Sequence, residues 1–232
     1  MAEKVNFDLH AESYEKQMAE DLKFFIEETG YLAEYKVRIV KETLEDKKPR
    51  NILEYGCGIG MNINFFNKHF GQSEIYGCDI SKKSLEVAEE RNHERVKFFL
   101  ITEENSARYK NFFDVIFVSC VFHHINPTHR LNSMKNIYSL MKPGGVFYLF
   151  EHNPYNPITR KIVNECIWDT DAVLLKPDES YNLIKDAGFT PEHRRKYTLF
   201  FPGFMRFLRR TEKFISFLPL GGQYYIKARR EN

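Results

Sequence analysis

The sequence predicts an α/β fold in which helices cover both faces of a mostly parallel sheet. Short apolar runs that end in Gly, Asp or Ser alternate with stretches of helical periodicity from about residue 49 onwards. Strands that alternate with helices need crossover connections, which make neighbouring strands parallel. The hydrophobic fraction of 43% is sufficient for a packed core. These observations indicate one globular α/β domain at 49–232.

A helical N-terminal cover is predicted over 1–48. Apolar residues recur at three- and four-residue steps from 11 to about 46, and Gly30 is expected to separate two helices. The polar segment 46–50 then forms a hinge before the first strand.

Five apolar runs are predicted as parallel strands, at 51–55, 74–78, 96–101, 114–119 and 146–151. Two later runs, at about 193–200 and 223–228, are predicted as the last strands. Ser81 can cap the helix after the second strand, and Asn126 with Pro127 can open another. A helix is also expected over 178–187, with Gly188 at its C-terminal cap.

A glycine-rich turn follows the first strand in the segment Glu54-Tyr55-Gly56-Cys57-Gly58-Ile59-Gly60. Glycines allow a tight turn and a close approach of the backbone to a ligand, at the strand end where open α/β sheets bind cofactors. The third glycine comes one position too early for the dinucleotide pattern G-x-G-x-x-G, which disfavours NAD. Asp79, which ends the next strand, can accept hydrogen bonds from two ribose hydroxyls. The alternative is an ordinary turn with incidental glycines.

These residues resemble the class I S-adenosylmethionine (SAM)-dependent methyltransferases. Residues 54–60 look like the first motif of that family, Asp79 like its ribose-binding acid, 113–125 like its fourth strand and 140–145 like the turn before its fifth. The resemblance implies a Rossmann-like seven-stranded sheet, mostly parallel with an antiparallel last strand. It also implies SAM as the cofactor and S-adenosylhomocysteine (SAH) as its product.

The cofactor site that the resemblance implies draws on most of the chain. Its residues are Tyr14, Lys36, Glu54, Gly56, Cys57, Gly58, Asp79, Ile80, Thr102 and Ser119. Tyr14 is expected to cover the cofactor and Thr102 to flank adenine. Lys36 is expected to pair with the methionine carboxylate, and the alternative is a solvated helix face.

Methyl transfer to a hydroxyl needs an in-line approach of two bound substrates and removal of the hydroxyl proton. Imidazole titrates near neutral pH and suits this second task. We predict His152 as the base, with Glu151 orienting it or holding substrate, and His124 as a further catalytic candidate. The predicted acceptor contacts are His123, Asn153, Tyr155 and Asn156.

Two other site chemistries are disfavoured. A metal site would use the same histidines with Glu151 or Asp171, but no paired ligand spacing supports it, so no metal is predicted. The segment 153–155 resembles a motif of nucleobase-amine methyltransferases, but it follows the fifth strand and not the fourth. Nucleic acid is therefore not predicted as a partner.

The acceptor is predicted from a second, weaker resemblance. The run Glu-His-Asn-Pro-x-Asn-Pro-x-Thr at 151–159 is similar to that of methyltransferases from surface-polysaccharide and natural-product loci. This implies O-methylation of a sugar or another small hydroxylated metabolite, free or lipid-linked. The alternatives are a methyltransferase of an isoprenoid quinone or lipid, a non-catalytic SAM-binding protein and an NAD-dependent oxidoreductase.

The C-terminal part differs in charge from the rest. The whole chain has a net charge of +2, whereas residues 191–232 hold ten basic against three acidic residues. Within them, 201–218 has the pattern of an amphipathic basic helix. The segments 152–175 and 201–222 are predicted to be two insertions that form the acceptor site or its lid. The alternative for 201–218 is contact with a membrane.

The expected location is cytoplasmic, with peripheral contact at the inner membrane face under that alternative. The four cysteines have no disulfide or metal-binding spacing. The first residues lack the apolar stretch of a secretory signal. The sequence leaves the oligomeric state open.

Overall fold

The computed structural model describes residues 29–45, 47–91, 96–199, 211 and 214–232. Its helices are α1 (Thr29–Thr43), α2 (Ile63–His69), α3 (Lys82–Arg91), α4 (Glu103–Arg108), α5 (Pro127–Leu140), α6 (Pro157–Glu165) and α7 (Pro177–Asp186). Its strands are β1 (Asn51–Tyr55), β2 (Glu74–Asp79), β3 (Val96–Leu100), β4 (Phe113–Ser119), β5 (Met141–His152), β6 (Thr190–Pro191), β7 (Lys196–Thr198) and β8 (Gln223–Arg229). Tyr14 lies outside the described residues.

The strands form one sheet in the order β3-β2-β1-β4-β5-β8-β6, and β7 also pairs with β8. Strands β1 to β5 pair in parallel, whereas β8 is antiparallel to β5, β6 and β7. The predicted Rossmann-like α/β fold, mostly parallel with an antiparallel last strand, is confirmed.

The strand count differs from the prediction of seven, because the expected strand at 193–200 is replaced by the two short strands β6 and β7. Pro191 cannot donate a ladder hydrogen bond, which favours an early end to β6. The charged side chains that follow form ion pairs with β8 and α7. Glu192 pairs with Lys227 and Arg229, and Arg195 pairs with Asp178 at 3.1 Å. The interruption therefore coincides with a charged segment.

The core has two layers, one on each face of the sheet. Buried side chains of α5 and α7 pack on one face, among them Met134, Ile137 and Ile184. Buried side chains of α1 and α2 pack on the other face, including Val37 and Phe66. The central strands are apolar on both faces because both are covered. Helices on both faces are therefore confirmed, and α1 is one of them.

The predicted helix boundaries mostly agree with the structure. Ser81 Oγ accepts a hydrogen bond from the Ser84 amide at 3.0 Å, and Asn126 Oδ1 accepts one from the Thr128 amide at 3.0 Å. Gly188 follows α7 with a φ of +107°. Gly30 lies in the first turn of α1. The first of the two helices that it was expected to separate lies outside the described residues.

The predicted amphipathic helix at 201–218 lies mostly outside the described residues. Residues 214–218 are described, and they form turns and not an α-helix. Within the described part of the chain, no helix is both long enough and apolar enough to cross a membrane.

Candidate active site

The candidate site lies at the carboxyl ends of β1, β2, β4 and β5. Strand β1 sits between β2 and β4, so the connections leaving β1 and β4 run to opposite sides of the sheet. In doubly wound sheets such a reversal places a ligand-binding crevice at the strand ends.

The glycine-rich turn after β1 has the backbone geometry that the sequence predicts. Gly56, Gly58 and Gly60 have φ values of +73°, +51° and +76°, which favour glycine. A Cβ atom at Gly56 would overlap the Val121 side chain, whereas one at Gly58 would have nothing within 4 Å. The turn is therefore tight at Gly56 and open beside Gly58, where a ligand can approach the backbone.

Asp79 is held against this turn by two backbone hydrogen bonds. Its Oδ2 accepts from the Gly58 amide at 2.8 Å, and its Oδ1 accepts from the Ser81 amide at 2.9 Å. A carboxylate has about four lone-pair sites, so both oxygens keep capacity for ribose hydroxyls. Ile80 beside it is 59% exposed. The Thr102 hydroxyl caps α4 by accepting from the Asn105 amide.

Glu54 is the buried carboxyl of the crevice. Asn62 Nδ2 donates to its Oε1 at 2.5 Å. Among the described residues, its Oε2 has no hydrogen-bond partner, and neither has Asn62 Oδ1. Burial raises the pKa of Glu54 to about 8, against the hydrogen bond from Asn62. A cationic ligand group placed here would satisfy these oxygens and favour the ionised carboxylate.

Lys36 extends from α1 to the end of β4. Its Nζ donates to Ser119 Oγ at 2.6 Å, and the residue is only 8% exposed. The alternative of a solvated helix face is therefore wrong for Lys36. A buried ammonium needs an anionic or hydrogen-bonding partner, and the carboxylate of a bound amino acid moiety would supply one.

Glu151 organises the segment that follows β4. Its Oε1 accepts from the amides of Val121 and Phe122, at 3.1 and 2.7 Å. Its Oε2 lies 2.7 Å from His123 Nδ1. Glu151 was predicted to orient His152, and in this respect the prediction is wrong, because it pairs with His123.

Asp169 closes the cluster from the other side. Its Oδ1 lies 3.2 Å from His123 Nε2 and 3.4 Å from His124 Nε2. Asp171 Oδ1 lies 3.2 Å from His124 Nδ1. The ring of His152 lies 4.9 Å from the ring of His123, measured between centroids. Three separate segments thus form one cluster of three imidazoles and three carboxylates.

The electrostatics of the cluster make one histidine cationic and two neutral. Burial opposes the charged form of His123, but Glu151 and Asp169 raise its pKa well above 6.5. Burial and the charge of His123 lower the pKa of both His124 and His152 to about 4. Although burial acts in the opposite direction, His123 lowers the pKa of Asp169 to about 2. His152 is therefore a neutral imidazole beside a fixed imidazolium.

The cluster also brings together atoms that could ligate a metal. One such atom from each of His123, His152 and Asp169 lies within 4.8 Å of the other two. Linear spacing could not have shown this grouping, because the three residues come from different segments. Both ring nitrogens of His123 already have carboxylate partners, so ion pairing by itself accounts for the close approach.

The predicted acceptor contacts after β5 occupy other positions. Asn153 Nδ2 donates to the carbonyls of Pro219 and Gly221, at 2.9 and 2.8 Å. Asn156 caps α6 and donates to a carbonyl in the same loop. These two amides fasten that loop beside β5, while Tyr155 is half exposed. Contact of these three residues with an acceptor stays a prediction.

Gln223 is a polar residue of this region that sequence reasoning missed. It begins β8 and stands opposite His152 in the strand register. Its Nε2 donates to Cys120 Sγ at 3.0 Å. Its Oε1 is buried and has no hydrogen-bond partner within the described part of the chain. No local motif marks it, since its place depends on the pairing of β8 with β5.

Comparison with known proteins agrees with this geometry. A family model described as "Methyltransferase domain" matches residues 53–147. The malonyl-[acyl-carrier protein] O-methyltransferase of Halalkalibacterium halodurans is 33% identical over 51% of this chain and 45% of its own length. Phosphoethanolamine N-methyltransferase 2 of Caenorhabditis elegans is 34% identical over 52% of this chain and 28% of its own length. The chain thus spans half or less of these two curated relatives.

A solved structure shows the same fold over nearly the whole chain. The SAM-dependent methyltransferase from Archaeoglobus fulgidus superposes with a TM-score of 0.67 at 17% identity, covering 91% of this chain and 98% of that protein. The sheet order, the glycine-rich turn followed by Asp79, and the matched domain all agree with the predicted cofactor, SAM. Residues 53–147 thus match a methyltransferase domain, and the chain has the fold of the SAM-dependent methyltransferases.

Proposed function

We propose that this protein transfers a methyl group from SAM to a hydroxyl of a sugar or another small hydroxylated metabolite. The observation that carries the proposal is the position of His152, which ends β5 with its ring centroid 4.9 Å from that of His123. Burial and the charge of His123 lower the pKa of His152 and keep its imidazole neutral. It lies next to a carboxylate-held histidine cluster at the edge of the cofactor crevice. A neutral imidazole can accept a proton, which a hydroxyl acceptor must lose.

The residues of the crevice fit SAM. The open space beside Gly58 leaves room for the cofactor, and the partnerless oxygens of Glu54 and Asn62 suit its ammonium group. Asp79 would hold the ribose, and Lys36 the methionine carboxylate. Bound SAM supplies the electrophilic methyl group. The protein holds the acceptor oxygen in line with that methyl group, and His152 takes the proton of the acceptor hydroxyl.

The charge of the cluster favours a neutral acceptor. Glu151, Asp169 and Asp171 supply three carboxylates around one imidazolium, that of His123. An anionic group placed beside them would be repelled, whereas hydroxyls can donate hydrogen bonds to the carboxylates. The names of the relatives include both an O- and an N-methyltransferase, so they do not select the acceptor.

Replacing Asp79 by asparagine is expected to weaken SAH binding at least tenfold. An amide can still accept from one backbone amide, but it loses the charge-assisted hydrogen bonds to ribose hydroxyls. Isothermal titration calorimetry with SAH measures the change.

Asp178→Asn is the matched control, because Asp178 lies on the surface of α7 with its side chain 54% exposed. Unchanged affinity in Asp79→Asn would contradict the proposed cofactor site. Binding of NAD by the unaltered protein, with no binding of SAH, would favour the oxidoreductase alternative.

The acceptor itself can be identified from cell extracts. Extract incubated with the protein and methyl-labelled SAM is expected to yield a labelled methyl ether, which mass spectrometry detects. SAH binding without any labelled product would favour the non-catalytic alternative. A labelled quinone or phospholipid would favour the lipid alternative over the sugar.

We further propose that the acceptor is lipid-linked and reached at a membrane surface. Phe214, Phe217 and Leu220 are 70%, 71% and 63% exposed. The loop that contains Leu220 is fastened by Asn153 and Asn156, immediately after the proposed base. The same C-terminal part, residues 191–232, holds ten basic against three acidic residues, whereas the rest of the chain is net negative. Exposed aromatic side chains in a basic stretch of sequence suit an anionic bilayer.

The double variant Phe214→Ser/Phe217→Ser is expected to lose most binding to vesicles that contain an anionic phospholipid, as measured by co-flotation. Loss of two exposed aromatic rings removes apolar contact with the lipid but disturbs no core. Val173→Ser is the matched control, since Val173 is 49% exposed but belongs to another segment. No flotation of the unaltered protein, or equal flotation of the double variant, would contradict membrane contact.

A further inference from the structure

Gln223 is placed rigidly beside the proposed base. Residues that stand directly opposite in an antiparallel pair project to the same face, with Cβ atoms about 5 Å apart. Gln223 and His152 form such a pair at the ends of β8 and β5. The Gln223 carbonyl accepts from Thr198 Oγ1 at 3.1 Å, and the preceding carbonyl, of Gly222, accepts from the Asn153 amide at 2.9 Å.

The side-chain amide of Gln223 is satisfied at one end only. Its Nε2 is held by Cys120 Sγ, and Cys120 is itself fixed through its own amide, which donates to the Phe150 carbonyl at 2.9 Å. Its Oε1 is buried without a partner among the residues described. A buried carbonyl oxygen without a hydrogen bond is unfavourable, so native structures seldom retain one unless a ligand or water supplies the donor.

From this arrangement we infer that Gln223 is a specificity-determining residue, which binds a second hydroxyl of the acceptor beside the hydroxyl that is methylated. The inference rests on the proposed function and narrows its substrate class to a neutral polyol with neighbouring hydroxyls. The reacting hydroxyl faces His152, and its neighbour donates to Gln223 Oε1. An Asp169 oxygen lies within 4.8 Å of a His152 ring nitrogen and adds another acceptor for hydroxyl donors.

A hydrogen bond from the acceptor to Gln223 Oε1 explains why the site would prefer a polyol to deoxy or anionic analogues. An acceptor that lacks the neighbouring hydroxyl leaves Oε1 buried and unpaired, so it should bind more weakly than the complete polyol. A carboxylate at the same place would put a negative charge against the carbonyl oxygen and near Asp169, and it should bind more weakly still. A hydroxyl avoids both costs.

The experiment uses the SAH-loaded full chain and simple neutral probes. These are the methyl glycosides of glucose, galactose and mannose, each with its monodeoxy analogues, titrated by ligand-observed NMR. At least one glycoside is expected to bind. Gln223→Leu should weaken that binding about tenfold or more. One deoxy analogue should bind the unaltered protein correspondingly more weakly but should lose nothing further in Gln223→Leu.

Gln72→Leu is the matched control, because Gln72 is exposed in the turn before β2. Unchanged SAH affinity in Gln223→Leu shows that the variant is folded and that Gln223 does not act through the cofactor. Three results would each overturn the inference. They are no binding of any glycoside, equal binding by Gln223→Leu, and a loss of SAH affinity that matches the loss of glycoside affinity.

Methyl transfer from labelled SAM to the same glycosides is measured separately. Glycosides that bind through Gln223 but are never methylated would refute the proposed function and leave the hydroxyl-binding role of Gln223 standing. Methylation that proceeds with an unchanged KM in Gln223→Leu would refute the role of Gln223 and leave the proposed function standing.

Discussion

Replacing Glu151 by alanine is expected to destabilise the fold by about 3 kcal/mol or more. Glu151 is fully buried and accepts two backbone amides in addition to its ion pair with His123. Its removal leaves those amides without their acceptor and leaves a buried imidazolium with one carboxylate partner in place of two. Removing one partner of a buried ion pair is strongly destabilising, because the other charge stays buried without compensation. Replacing both partners by apolar residues changes the stability much less.

Urea unfolding followed by far-ultraviolet circular dichroism measures this loss. Glu165→Ala is the matched control, since Glu165 is 67% exposed on α6 and should change the free energy of unfolding by less than about 0.5 kcal/mol. Glu151→Gln keeps an acceptor oxygen but loses the charge. Its free energy of unfolding should therefore lie between those of Glu151→Ala and Glu165→Ala. If Glu151→Ala were as stable as the control, this carboxylate would not be needed to stabilise the cluster.

The cost of Glu151→Gln should depend on pH in a defined way. The folded pKa of His123 is raised above 6.5, so its ion-pair contribution is fully present below pH 6.5 and is lost as the pH rises through that raised value. The folded pKa of Glu151 is lowered below 4.5, so its contribution is present above pH 4.5 and is lost as the pH falls. The stability difference from the unaltered protein should be largest between pH 4.5 and 6.5.

The geometry of the proposed cofactor half of the site could be predicted because its signals are local. The turn from Gly56 to Gly60 needs backbone angles that favour glycine, and Asp79 ends the adjacent strand. Each feature is contained in a few consecutive residues, and parallel pairing of β1 with β2 brings them together. The order of strands and helices follows in the same way from periodicity. Glu54 was predicted as a cofactor residue, but its partner Asn62 was not.

The geometry of the proposed acceptor half was predicted less well because long-range contacts determine it. Glu151 and His152 are adjacent in sequence, but successive residues of a strand project to opposite faces, so Glu151 faces His123. Asp169 reaches the cluster from a separate 3₁₀ turn, and Gln223 arrives only through the pairing of β8 with β5. Neither position has a sequence pattern that distinguishes it from an ordinary polar residue. Strand alternation was the one available signal, and it argued against pairing Glu151 with His152.

Replacing His152 by asparagine is expected to lower kcat for methyl transfer by about 10²- to 10⁴-fold, the range for losing a general base. Asparagine retains hydrogen-bonding groups of similar reach but cannot take the proton of the acceptor hydroxyl. SAH affinity should not change, because the proposed function assigns His152 to the acceptor and not to the cofactor. Initial rates with labelled SAM and the acceptor found in extracts measure kcat, and calorimetry measures SAH binding.

His193→Asn is the matched control for this experiment. Burial also lowers the pKa of His193 to about 4, but its ring packs against Tyr225 between β6 and β7, outside the cluster. The control should retain its rate, which separates the base from the general effect of losing a buried histidine. In the unaltered protein, kcat should stay level as the pH falls from 8 and decline only as the pH approaches 4, where His152 takes up a proton. An unchanged kcat in His152→Asn, or an equal loss of kcat in His193→Asn, would show that His152 is not the general base.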